Sequence, residues 1–350
     1  MEIIDLDDPD STEDCPDVPR KDSVREEESF FEKYILNFNW HIILLLVVAV
    51  SVVLIIYRIS NWGVYVKPEY DPNDFNEEYE IEVQDNILPH LYTGDDIVDD
   101  GVCTIVAFGN SPFADDWGTD NNLASLIEEQ SEAVVYNCAV ADSYLTAQEP
   151  QFSSSKAPMD AFSFYWLTTL ACVDATNNIE SAIQALGDNL PDGAMEAYET
   201  LRDLDFNTVD VITIMYDASD YLDGRPMGTL DHPTDIQTYY GNLNAGLELI
   251  QETYPHIRII VMSPTYAYAI DENGEYVSSD LYLYAEETLS SYAMIMERSA
   301  SIYTASFLDN FYGTVNELDA DQYLTDHMHL NLEGRKKLAE RFVYALEYYD

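Results

Sequence analysis

From Gly101 to the C-terminus, short apolar runs rich in β-branched residues alternate with longer stretches of helical periodicity, and this alternation fixes the class of fold. "CTIVAF" is followed by a helical stretch near 121–130, then "AVVYNCAV", helical stretches near 159–176 and 193–203, and "VDVITIMY". A helix over 234–253 leads to "IRIIVMSP", another near 281–298 leads to "SIYTAS", and "NLEGRKKLAERFVYALEYY" closes the chain. Strands separated by helices join through right-handed βαβ crossovers, which build a parallel sheet covered on both faces. The pattern predicts an α/β protein, a three-layer α/β/α sandwich over 101–350. Reactive groups in such sheets collect just beyond the C-terminal strand ends. The turns to inspect are therefore "FGNSPFADD", "NCAVADSY", "MYDASDYLDG" and "MSPTY".

The N-terminal hundred residues read differently. Residues 1–39 are polar and acidic with little to bury, the composition of a disordered tail. "WHIILLLVVAVSVVLIIYRISNW" over 40–62 holds no charge between Ile42 and Ile56 and reaches about 33 Å as a helix, enough to cross a bilayer. Trp40 and Trp62 stand where interfacial aromatic belts belong. A signal peptide fits poorly, because a long polar segment precedes the run and no small-residue cleavage site follows it. Arg20, Lys21, Arg25 and Lys33 precede the span and Arg58 and Lys67 follow it, a bias that predicts a single-pass cell-membrane protein with a cytoplasmic N-terminus. The C-terminal domain is then extracellular. Residues 63–100 read as an acidic stalk, with one added strand expected at 79–83. No internal repeat is visible.

The formal net charge is −51, from 66 Asp and Glu against 15 Lys and Arg, which repels nucleic acid and anionic lipid surfaces and excludes both as partners. The acidic residues show no EF-hand spacing. Cys15, Cys103, Cys138 and Cys172 include no C-x-x-C pair, so neither a disulfide framework nor a zinc site is expected. Cys103 and Cys138 sit in apolar runs, where a thiol behaves as a small hydrophobe.

Chemistry is concentrated in two places. Ser111 ends the first apolar run, and "TDHMH" sets Asp326 three residues before His329, ahead of the last helix. A serine hydroxyl needs an imidazole to take its proton, and that imidazole needs an acceptor on its other nitrogen. The D-x-x-H spacing lets Asp326 reach Nδ1 of His329, a spacing His327 does not satisfy.

Four blocks in this order resemble the SGNH (GDSL-like) hydrolase family: "FGNS" (108–111), "NCAVAD" (137–142), "DASD" (217–220) and "DHMH" (326–329). The resemblance spans 101–350 and implies the flavodoxin-like fold of that family, with no cofactor or metal. It implies Ser111 as nucleophile, His329 as general base and then acid, and Asp326 as its orienting partner. The oxyanion hole would be formed by the backbone amides of Ser111 and Asp142 and the side chain of Ser219. Three positions depart from the family. Asn110 replaces an Asp that braces the turn, and Asp142 stands where Gly is usual, so a positive φ there is strained. Ser219 replaces an Asn, and losing one such donor typically costs about 10²–10³ in rate.

Without the family, each residue has a plainer reading. A strand-end serine or a histidine before a helix is ordinarily structural, Asp217 and Asp220 brace their turn, and Ser263 in "MSPTY" has no base to pair with. Tyrosines in "YYGN" and "YLYAEETLSSYAM" serve a core or offer faces to sugars. The reading is a serine esterase acting on acyl esters, acetyl above all, of cell-surface or extracellular glycans or other small esters. Two alternatives stay open: an O-acyltransferase passing the acyl group to a sugar hydroxyl, and a weak or inactive descendant that binds glycan or a protein partner.

Overall fold

The computed structural model describes residues 40–60, 82–89, 101–173 and 175–348. The chain divides into two units, Met1–Glu78 and Tyr79–Asp350. In the first, α1 (Trp40–Ser60) is a helix of 21 residues. Leu44, Leu45, Leu46, Val47, Val48, Val50, Val52, Val53 and Ile55 are all exposed, which at 3.6 residues per turn puts apolar side chains on every face. Among the described residues no helix is long and apolar enough to cross a membrane. The span expected over 40–62 is therefore not found among the described residues, and its Trp62 end lies outside them. The tail (1–39), Cys15 and most of the stalk also lie outside them.

The second unit runs β1 (Thr104–Gly109), α2 (Ser111–Ala114), α3 (Leu123–Ser131), β2 (Val134–Asn137), α4 (Phe164–Val173), α5 (Thr176–Leu186) and α6 (Ala194–Asp203). It continues with β3 (Val211–Met215), α7 (Ser219–Leu222), α8 (Tyr239–Thr253), β4 (Arg258–Met262), β5 (Tyr268–Ile270) and β6 (Tyr276–Ser278). Last come α9 (Leu289–Ile302), β7 (Ser306–Leu308), α10 (Asn310–Gly313), α11 (Ala320–Tyr323) and α12 (Leu332–Glu347). The five strands of the main sheet are parallel and lie in the order β2-β1-β3-β4-β7. Strands β1 and β3 are buried at every position, as their unbroken apolar runs require. Helices α3 and α12 pack together, as do α4 with α6 and α8, and α8 with α9. The expected α/β sheet flanked by helices is thus present.

The order makes the chain step one way from β1 to β2 and the other way from β3 to β7. The reversal falls between β1 and β3, where the carboxyl ends of adjacent strands open a crevice. In register, Gly109 faces Met215 at that end. A Cβ on Gly109 would lie 2.0 Å from the Met215 carbonyl oxygen, so the glycine of "FGNS" lets these two strand ends approach.

Several element boundaries differ from the periodicity. The helix expected over 159–176 is split into a 3-10 turn, Pro158–Phe162, and α4. Helix α5, not foreseen, hides its buried Ile179 and Ala182 among poor helix formers. Helix α8 starts at Tyr239 rather than 234, because the Thr238 side chain accepts from Gly241 N. Helix α9 starts at Leu289 rather than 281, since Ala285 and Glu286 take left-handed φ values of 48° and 73° that no helix continues through. The antiparallel hairpin β5–β6 was not expected; its strands are too short to show a period.

Of the strand expected at 79–83, residues 79–81 lie outside the described residues and 82–83 form none; a single bridge occurs further on. Asn86 bridges Phe307 of β7 antiparallel, each backbone N–H donating to the other's carbonyl at 2.9 Å. Asp85 accepts from Asp309 N (2.8 Å) and from Arg341 of α12 (2.7 Å). Residues 82–89, read as stalk, therefore belong to the sheet edge. Cys103 is exposed, contrary to expectation, because it precedes β1; Cys138 is buried, and burial pushes its thiol well up. "YYGN" is core, with Tyr239 and Tyr240 buried.

Gly109→Ala is expected to destabilise the protein by about 1–3 kcal/mol through overpacking against the β3 backbone. Denaturant unfolding measures this, and a loss below about 0.5 kcal/mol would show that the strand ends separate freely.

Candidate active site

The crevice between β1 and β3 is held by one side chain. Asn110 donates from Nδ2 to the Ser143 carbonyl (2.9 Å) and to Asp217 Oδ1 (2.8 Å), while its Oδ1 accepts from Asp217 N (2.8 Å). It thereby joins the turns after β1, β2 and β3. An Asp at 110 could not donate to either acceptor, so Asn and Asp217 form a matched pair at this position. Asp217 Oδ1 also accepts from Ser219 N (2.9 Å), and its Oδ2 is buried without a hydrogen-bond partner. Asp220, fully buried, braces a different turn from its own: it accepts from Leu145 N (2.8 Å), Thr146 N (3.1 Å) and Thr146 Oγ1 (2.6 Å). Burial pushes its carboxyl up to about 6 against the pull of those donors.

Ser111 opens α2 immediately after this brace and is 8% exposed. Asp142 has φ 55°, the strained conformation expected where a glycine is usual. Neither the Ser111 nor the Asp142 amide donates to an acceptor among the described residues. The Ser219 amide is taken by Asp217, which leaves its half-buried hydroxyl as the group it can offer.

On the other side, Asp326 Oδ1 accepts from Met328 N (2.9 Å) and His329 N (2.8 Å), and its Oδ2 meets His329 Nδ1 at 2.7 Å. A carboxylate on Nδ1 fixes the neutral ring with its proton there and leaves Nε2 basic. Burial works to raise Asp326, but these donors hold it down to about 2. For His329, burial works to lower the value, and the Asp326 bond together with the charges of Asp326, Asp115 and Asp217 raises it. Asp115 stands four residues after Ser111 and Asp217 is bound to Asn110, so two of the carboxylates whose charge raises His329 belong to the turns after β1 and β3. Ser111 Oγ makes no hydrogen bond among the described residues; such contacts often close only around substrate. His327 stays 3.9 Å from Asp326, too far for a hydrogen bond.

Two contributors escaped the sequence reading. Asp115, quoted only as part of a turn, has its carboxyl raised by burial, with His329 pulling it back down. Arg335, buried in α12, donates to Asn121 O (2.9 Å) and Leu330 O (2.8 Å) and pairs with Asp116, so it locks the helix after His329 onto the segment after Ser111. One of several basic residues in an amphipathic helix carries no signal of that role. Ser263 is excluded as a nucleophile: buried, it accepts from Asn310 N (2.8 Å) and Phe311 N (3.1 Å). No group of three or more metal-ligating side chains gathers among the described residues.

No protein-family model matches the chain, and no curated protein matches it in sequence. Solved structures match in fold. One is 18% identical over 71% of this chain and 98% of its own, with a TM-score of 0.50. A possible lipase from Chitinophaga pinensis is 14% identical over 70% and 98%, TM-score 0.44. The native aryl esterase of M. smegmatis is 14% identical over 71% and 99%, TM-score 0.40. At these identities the likeness is one of fold.

His329 is expected to titrate above about 6.5, and Asp326→Asn to lower its value, as followed by NMR of the ring. An unchanged value in the variant would remove Asp326 as its partner. Because the His329 value is raised, its contribution to stability is complete below the unfolded value and lost as pH rises through the folded one. The Asp326 contribution is present above 3.8 and lost as pH falls toward about 2.

Proposed function

We propose that the chain is a serine esterase that removes acyl groups, acetyl above all, from esters on cell-surface or extracellular glycans. Supporting it first is the Asp326–His329 pair at 2.7 Å, electrically coupled to the two turns that flank Ser111. Ser111 Oγ attacks the ester carbonyl as His329 Nε2 takes its proton. The tetrahedral oxyanion lies against the free amides of Ser111 and Asp142 and the Ser219 hydroxyl. Collapse expels the sugar alcohol, which receives the proton from His329. Water then attacks the acyl-enzyme as the same nitrogen takes its proton, and collapse breaks the acyl–Oγ bond and releases the carboxylic acid while His329 returns the proton to Ser111 Oγ.

The carboxylates of Asp115, Asp217 and Asp326 favour the imidazolium that forms at each step, and they equally keep His329 protonated to higher pH in the resting site. The rate on this reading rises with pH through a value raised above that of an ordinary histidine. On this reading the catalytic unit lies outside the cell, a placement supported by the charge bias on either side of residues 40–62.

The test is labelling of the full chain by a serine-directed fluorophosphonate. Labelling is expected and is abolished by Ser111→Ala; a folded protein that labels equally in both forms ends the reading. Ser219→Asn, which restores a carboxamide donor, is expected to raise kcat by up to about 10²-fold on an acetyl ester. An unchanged kcat would show that the missing carboxamide does not limit the reaction.

A further inference from the structure

Hairpin β5–β6 carries an arrangement the triad does not use. Tyr268 and Tyr276 lie stacked across its two strands, ring centroids 5.7 Å apart and 13° from parallel. Tyr276 meets His327 at 5.9 Å, and His327 meets His329 at 6.5 Å. Tyr268 N donates to the His327 carbonyl (2.7 Å), so the hairpin is fastened to the turn that holds Asp326 and His329. The Tyr268 hydroxyl donates to Asp321 Oδ1 (2.9 Å), which fixes the ring behind Tyr276. Tyr276 itself is 54% exposed, although most of the other tyrosines near it are half-buried or buried.

We propose that Tyr276, backed by Tyr268 and bordered by His327, is the platform on which an uncharged pyranose ring of the substrate stacks. This rests on the esterase reading and names its substrate class. An aromatic face is electron-rich, and the axial C–H bonds of a pyranose present a weakly positive, dry surface that matches it. The ring is held rigid from behind, so little freedom is lost on stacking. An acyl chain would need an enclosed apolar wall, whereas this platform is bordered by imidazole and carboxylate groups suited to sugar hydroxyls. Charge decides between neutral and acidic sugars. Asp271, Glu272 and Glu275 lie in the turn that joins the two strands of the same hairpin, and a uronic acid would meet them as like charges.

The experiment compares Tyr276→Ala and Tyr276→Trp in the full chain on three substrates: 4-nitrophenyl acetate, an acetylated neutral oligosaccharide, and an acetylated oligosaccharide containing uronic acid. Tyr276→Ala is expected to raise KM for the neutral oligosaccharide about three- to tenfold relative to 4-nitrophenyl acetate, with kcat moving less than KM, and Tyr276→Trp to restore it. An equal effect on all three substrates, or none, overturns the platform; a larger effect on the acidic glycan overturns its preference for uncharged sugar. Binding of the deacetylated neutral oligosaccharide to Ser111→Ala, measured by NMR, reads the platform without catalysis. Loss of that binding on adding Tyr276→Ala supports it even if the esterase reading fails, and unchanged binding overturns it even if that reading stands.

Discussion

The site depends on the three hydrogen bonds of Asn110. It sits where the crossover direction reverses, and it reaches the turns after β2 and β3 from the turn after β1. Each of those turns supplies a different part of the site: Ser111, Asp142 with its free amide, and Asp217 with Ser219. Parallel strands end in turns with no mutual hydrogen-bonding obligation, so the separation between them is set by whatever links them. Here a carboxamide does so, using both its donor and its acceptor against a carboxylate and two backbone groups.

The second determinant is charge. In a chain of net charge −51, the charges of Asp326, Asp115 and Asp217 favour protonation of His329 against the opposing effect of its burial. The field stabilises the cation formed in an acyl-transfer step and stabilises the resting cation as well. A base of this kind gains proton affinity at the expense of the fraction that is neutral. Arg335, buried and paired with Asp116, offsets part of that field near Asp115 and also fixes the last helix to the segment after Ser111.

The main sheet was legible because its strands are continuous apolar runs separated by helix-length segments, the pattern of parallel βαβ units. Asp326 and His329 were legible because their partnership is local, three residues apart in one turn. What stayed hidden was non-local or short. Asp115 matters only through a histidine more than two hundred residues away, and Arg335 only through carbonyls and a carboxylate brought to it by packing. The β5–β6 strands are three residues each, below the length at which alternation can be recognised, although the "ENG" turn between them was a usable sign. Helix α5 was masked by Asn177 and Asn178, whose weak propensity was overridden by burial of Ile179 and Ala182. The position of Ser219 was read, but whether its hydroxyl reaches an oxyanion is a matter of side-chain length that residue type alone does not convey.

The segment over 82–89 has a practical consequence. Its Asn86 takes the backbone groups of Phe307 and its Leu88 amide meets Ser306 Oγ at 3.1 Å, so β7 is an inner strand in all but name. A recombinant fragment begun at residue 101, where the apolar alternation starts, would strip that cover and leave a short parallel strand with its outer amides open to any passing chain. The resulting self-association would be a product of the cloning boundary, and solubility screens of such fragments would report on the missing eight residues more than on the folded unit.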